Sequence, residues 1–133
     1  MDAVLIISIL TVAIQAGTSL VYATIGEIFA ERSGILNLGV EGMMIMGAVM
    51  AFAGAYHSGS AWVGVAVAIV AGGLLALIHA FLTVSLRSDQ VVSGLALTIF
   101  GTGLASFLGQ RLGPAGKPLV GLVGPRFQSI PLP

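Results

Sequence analysis

Residues 24–47 read TIGEIFAERSGILNLGVEGMMIMG. On both sides of this stretch the chain is almost entirely Leu, Ile, Val, Ala, Met and Gly. Four of its ten charged side chains, Glu27, Glu31, Arg32 and Glu41, fall inside it, together with Asn37. We read the stretch as the interruption between two membrane helices, and that reading decides the fold. Ser33-Gly34 breaks the first helix, and Asn37 is placed to cap the next one, since its side-chain oxygen can accept from a free first-turn N–H. Glu41 then lies in the first turn, where the positive end of the helix dipole favours a carboxylate. Glu27 and Glu31, four residues apart, share a face and with Arg32 read as a solvated turn at the membrane boundary. No Glu-x-x-His accompanies them, so a di-metal bundle site is not expected. A broken helix whose N-terminus points into a membrane protein can present N–H donors to a solute.

The composition around the stretch agrees. The chain is 57% hydrophobic and 8% charged, with mean hydropathy +1.09, whereas ordinary soluble domains carry roughly 25% charged residues. So few charges cannot coat a globule, and most of the surface must face lipid or other apolar helices. Net charge is zero, so no nucleic-acid partner is indicated. The absence of cysteine excludes disulfides and thiolate metal sites. The start, MDAVLIISIL, has no Lys or Arg, so the first helix reads as a retained span rather than a secretory signal.

Four apolar runs, residues 3–25, 35–56, 61–86 and 91–110, approach or exceed the roughly 20 helical residues that cross a hydrocarbon core. No period-2 alternation suggests a barrel, and an open sheet would leave backbone groups unpaired in lipid. The expected fold is therefore all-α, a polytopic membrane helix bundle with about four transmembrane helices and a broken helix near residues 26–41. Breaks are expected at 26–34, 57–60 and 87–90. Residues 111–133 hold all five prolines and read as a Pro/Gly-rich surface loop with room for a short re-entrant piece around 119–123. The chain ends in Pro-Leu-Pro, which reads as an interruption of a longer protein.

Small residues recur every four positions: Gly64, Ala68, Gly72, Ala76 and Ala80; Gly47, Ala51 and Ala55; Gly101, Ala105 and Gly109. Such rows let helix backbones approach in a membrane. GTGLAS at 101–106 lies inside an apolar run with no strand before it, so it reads as packing rather than a dinucleotide fingerprint. GPAGK at 113–117 has Arg111 and Pro118 where a phosphate loop needs Gly and Ser/Thr. Any ATP chemistry belongs to another chain, and no cofactor is expected here. On the first helix Thr11, Gln15, Thr18 and Tyr22 share one face. They serve either interhelical hydrogen bonding or a solute path, with Gln15 and Tyr22 the better path candidates. His57 reads as an interfacial loop residue and His79 as structural, since a lone His makes a poor metal site.

At these residues a resemblance emerges. AERSGILNLGVEGMMIMGA is similar to a segment of the permease subunits of bacterial ABC importers in the branched-chain amino acid, ribose and nucleoside group. The form SGxxNLGxEGMM looks most like the simple sugar and nucleoside subgroup. ALIHAFLTVSLRSDQVVSGLAL resembles the family's third helix, turn and following span, and together the two segments cover residues 10–110. Asp89 departs from the Asn or small residue expected in that turn. The resemblance implies that residues 1–133 are one transmembrane permease domain, the N-terminal portion of a multi-pass protein of the bacterial cytoplasmic membrane. It implies a second permease subunit, ATP-binding subunits and an extracytoplasmic substrate-binding protein as partners, beside the lipid bilayer. The chain would do no covalent chemistry, and Gln15, Tyr22, Asn37, Glu41, Gln90 and Ser93 are the candidates to line the solute path.

Two other classes remain open to the sequence. One is half of a secondary transporter or channel, with Glu41 or Asp89 as an ion or proton site. The other is a small structural membrane protein. Arg32 and Arg87 favour cytoplasmic placement of residues 26–34 and 87–90 by the positive-inside rule. Arg111, Lys117 and Arg126 oppose it, and the resemblance tips the balance toward an extracytoplasmic N-terminus.

Overall fold

The computed structural model describes residues 2–128. The chain forms two compact units, Met1–Asn37 and Leu38–Pro133. The first is one long helix and the turn that ends it. Helix α1 spans Ala3–Arg32, 30 residues, or about 45 Å at ~1.5 Å per residue. It runs past the end expected at residue 25, because one glycine at position 26 costs only about 1 kcal/mol in a helix interior. The hydroxyls of Ser8, Thr11, Thr18 and Thr24 each donate to the carbonyl four residues back, so these groups are satisfied within the helix. Ser33 stops it: its N–H donates to the carbonyls of Phe29 and Ala30, and its hydroxyl to Ala30 as well. Gly34 follows at φ +85°, a left-handed conformation that a side chain resists. The break therefore lies at residues 33–39 rather than 26–34.

The second unit holds α2 (Val40–Ser58), α3 (Ala61–Ala80), one π-helical turn (Phe81–Ser85) and α4 (Gln90–Arg111). A 3-10 turn at Pro114–Gly116 follows. Among the described residues, three helical segments are long and apolar enough to cross a membrane: Ala3–Arg32, Ala61–Ser85 and Gln90–Arg111. The 19 residues of α2 suffice in length. Glu41 at its start and Tyr56-His57 at its end lower its apolarity, so composition alone does not mark it as a fourth span. Gly59, at φ +70°, closes the tight turn between α2 and α3.

Helix α2 lies at the centre of this unit, packed along α3 and α4. Met46, Ala71, Leu75, Leu97 and Ala105 form the buried cluster, flanked by Met43, Val49, Met50, Leu104 and Leu108. The closest approach is between glycines of α2 and α4. A Cβ on Gly42 would stand 2.8 Å from the Leu97 carbonyl oxygen, and one on Gly101 would stand 2.8 Å from the carbonyl oxygen of Gly42. Backbone contact of this kind gains dispersion energy that lipid chains would otherwise supply. The small-residue row of α3 splits. Gly64 and Gly72 face α2, whereas Ala76 and Ala80 are exposed.

After α4 the chain folds back. The Leu119 N–H donates to the Gly109 carbonyl at 2.8 Å, and Leu119 is buried. Residues 119–123 form a turn followed by irregular chain. The terminal Pro-Leu-Pro lies outside the described residues.

Candidate functional site

In the first unit the polar residues of the break organise around Glu27. Its Oε1 accepts from the backbone N–H of Asn37 at 2.9 Å. Its Oε2 is buried and accepts no hydrogen bond among the described residues. Glu27 is thus a partly buried clamp that ties the last turns of α1 to the chain leaving the break, where the sequence suggests a solvated turn residue. The charge-assisted bond to the Asn37 N–H explains why: Asn37 belongs to the turn. The N-cap position of α2 is Gly39, two residues beyond the Asn37 that the sequence marks. Gln15 and Tyr22 are exposed on α1, and neither side chain makes a hydrogen bond among the described residues.

In the second unit Glu41 does occupy the first turn of α2. Its carboxylate is exposed and makes no hydrogen bond among the described residues, so its favourable interaction is with the helix dipole alone. The start of α4 is held differently. Asp89 caps it, Oδ1 accepting from the Val92 N–H at 2.9 Å, which accounts for an acidic residue in that turn. Gln90 is half-buried. Ser93 is buried, and its hydroxyl lies 3.1 Å from Nδ1 of His79. His79 is only 3% exposed, and its carbonyl accepts from the Thr83 hydroxyl at 2.8 Å. The structural reading of His79 is therefore the one the packing supports. His79, Thr83 and Ser93 join the end of α3, the π-helical turn and the start of α4.

One turn further along, α4 is seated on the residues that lead into α2. A Cβ on Gly94 would stand 2.9 Å from the backbone N and the Cβ of Leu38. The Thr98 hydroxyl donates to the Leu38 carbonyl at 2.8 Å. Thr98 begins a polar ladder that the pattern of small residues hides in the sequence. Thr98, Thr102, Ser106 and Gln110 recur every four residues on α4, beside the row of Gly101, Ala105 and Gly109. The period of four is the signal that could have found it. Thr102, Ser106 and Gln110 line a cleft of about 620 Å³, with Val49 and Phe52 of α2 and Leu119 of the following segment. The cleft lies toward the end where α2 and α4 terminate together, which is marked by a 2.6 Å bond between His57 Nε2 and the Leu112 carbonyl.

Apolar helices of spanning length joined by tight turns define a polytopic membrane protein. Residues 7–120 match the family described as branched-chain amino acid transport system / permease component, and the chain belongs to that family. The family is one of transport permeases, which are not enzymes. The chain is 50% identical over 101 residues to the putative glucose ABC transporter permease protein TsgC13 of Haloferax volcanii, covering 76% of this chain and 31% of the relative. It is 36% identical over 115 residues to the guanosine ABC transporter permease protein NupQ of Bacillus subtilis, covering 81% and 36%. It is 37% identical over 97 residues to the nucleoside ABC transporter permease protein NupC of Lactococcus lactis, covering 68% and 31%. The chain thus spans about a third of the length of these relatives. No solved structure matches it.

Proposed function

We propose that this chain is part of the permease subunit of an ATP-driven importer that carries a nucleoside or a simple sugar across the bacterial cytoplasmic membrane. The observation that carries the reading is the family match over residues 7–120, which includes the Glu27–Asn37 clamp and the seating of α4 on Leu38. The relatives named above transport glucose, guanosine or nucleosides by their names, and hydroxylated rings are the chemistry these solutes share. A second permease, ATP-binding subunits and an extracytoplasmic binding protein would complete the machine. ATP hydrolysis on the partner subunits would switch the permease between outward- and inward-facing states, so that the solute site is exposed to each side in turn. Gln15, Tyr22 and Asn37 in the first unit and Glu41, Gln90 and Ser93 in the second remain the candidates for path-lining groups. Among them Ser93 is buried, and its hydroxyl lies 3.1 Å from Nδ1 of His79.

The test is reconstitution of the complete transporter in sealed vesicles with ATP supplied to the ATPase side. Accumulation of labelled guanosine or glucose that needs ATP hydrolysis and survives a proton uncoupler is the expected result. Uptake driven by a proton gradient without ATP would replace this reading with a secondary transporter.

A further inference from the structure

We propose that the cleft between α2, α4 and the segment after α4 is a solute subsite for a ring bearing adjacent hydroxyls, with Phe52 as its flat wall and Ser106 and Gln110 as its hydrogen-bonding groups. The inference deepens the permease reading and rests on it. At about 620 Å³ the cleft falls within the ~300–1,000 Å³ of small-molecule sites, which are apolar with a few placed polar groups. Its walls fit that description, with Val49, Phe52 and Leu119 on the apolar side.

The polar side is what singles the cleft out. Several helical hydroxyls in this chain turn back on their own backbone. Ser8, Thr11, Thr18, Thr24, Ser58 and Thr83 all donate to the carbonyl four residues earlier. Within the α4 ladder Thr98 is spent on Leu38 and Thr102 on the Thr98 carbonyl. Ser106 and Gln110 are both exposed on the cleft. Among the described residues neither side chain has a hydrogen-bond partner, and both line the cleft. An unpaired hydroxyl and amide facing apolar walls are costly in lipid, so an acyl chain in the cleft would leave both unpaired. A solute with two neighbouring hydroxyls would satisfy both. Phe52, which lines the cleft, offers aromatic carbon for contact with the apolar side of a pyranose or with a nucleobase. The first source would present sugar hydroxyls alone, the second ribose hydroxyls with a stacked base.

Two measurements on the complete transporter in vesicles test the subsite. The first places one thiol at Ser106→Cys, any cysteines outside this segment being replaced. This segment has none of its own. A charged, water-soluble thiol reagent should label it, and saturating guanosine or glucose should slow labelling severalfold, with the solute that slows it more identifying the source. No labelling means that lipid or another helix fills the cleft, and labelling that neither solute slows means that the solute binds elsewhere. Either result overturns the proposal. The second measures uptake by Ser106→Ala and Gln110→Leu at matched protein levels. Each should raise KM by about 3–10-fold, the equivalent of one net hydrogen bond, with the maximal rate retained. An unchanged KM in both variants overturns the subsite. If the unsubstituted transporter shows no ATP-dependent uptake, the permease reading fails instead. Normal uptake with unprotected labelling removes the subsite and leaves the permease reading standing.

Discussion

Glu27 and Asn37, ten residues apart, are joined across the helix break. The carboxylate oxygen Oε1 accepts the Asn37 backbone N–H at 2.9 Å, while Oε2 is buried without a donor among the described residues. Glu27→Gln keeps an accepting oxygen at this position and removes the charge. Glu27→Leu removes the acceptor and leaves the Asn37 N–H to find another. We expect Glu27→Leu to lower stability by about 1–3 kcal/mol, the cost of a bond to a charged group lost with its partner left behind. Glu27→Gln should retain most of the wild-type stability. Thermal unfolding of the purified permease in detergent measures both. If the two variants unfold together at the wild-type temperature, the clamp carries no stability.

The glycines of α2 and α4 give a sharper stability test. At Gly42 and Gly101 an added Cβ would meet the facing backbone at 2.8 Å, and a backbone contact cannot swing aside as a side chain can. Gly42→Ala and Gly101→Ala should each cost about 1–3 kcal/mol by overpacking. Gly103 lies two residues along α4, and a Cβ added there would have nothing within 4 Å. Gly103→Ala should be neutral or stabilising by up to about 1 kcal/mol, since alanine suits a helix interior better. Equal effects at all three positions would contradict the contact.

Much of this architecture is legible in the sequence. Runs of apolar residues announce the helices because lipid leaves the backbone no other way to satisfy itself. Ser33-Gly34 announces the break, since a left-handed residue after a hydrogen-bonding hydroxyl is a local device. What is not legible depends on distant partners. The N-cap position of α2 falls at Gly39 rather than at Asn37, and that of α4 falls at Asp89. Glu27 reads as a solvated residue because nothing in the spacing shows that its carboxylate turns toward residue 37. The α4 ladder has a readable period of four. Its meaning depends on Phe52 and Leu119, which only folding brings beside it.

The role of Asp89 separates two kinds of transporter. Its Oδ1 caps α4 through the Val92 N–H, which is a structural use of a carboxylate. Asp89→Asn preserves a capping oxygen, and Asp89→Ala should cost about 1 kcal/mol of stability. At matched protein levels Asp89→Asn should therefore transport as the wild type does. A proton or cation site would instead lose coupling when the charge is removed. Uptake by Asp89→Asn that falls tenfold while its unfolding temperature stays unchanged would move Asp89 from the helix cap to the transport mechanism.

Topology can be tested with the same cysteine-free background. The bond between His57 and the Leu112 carbonyl places the end of α2 beside the end of α4, and residues 86–89 lie at the opposite end of α4. Positive-inside reasoning with Arg87 assigns that opposite end to the cytoplasm. Intact cells carrying Ser58→Cys should be labelled by an impermeant thiol reagent, whereas those carrying Ser88→Cys should be labelled only after the membrane is opened. The reverse pattern would invert the orientation and would put the cleft at the cytoplasmic mouth.

Glu41 is the remaining acidic residue within the apolar part of the opening stretch, and we propose that it serves transport rather than folding. It lies in the first turn of α2, exposed and without a hydrogen bond among the described residues. A carboxylate fully inside hydrocarbon costs roughly 2.5–3.5 kcal/mol even on the lenient insertion scale, so in the assembled transporter it needs water, a solute or a neighbouring polar group. The dipole of α2 offsets only part of this, typically about 0.3–1 kcal/mol. Removing the charge should therefore leave the fold intact. We expect Glu41→Gln to reach wild-type membrane levels and to lower uptake by the complete transporter severalfold. Glu41→Leu should lower it further, because it removes both charge and hydrogen bonding. Quantitative immunoblotting of membranes beside initial uptake rates separates the two effects. Wild-type uptake by Glu41→Leu would show that the carboxylate faces neither the path nor a moving contact, and the functional weight of the break would then fall on Glu27 and Asn37.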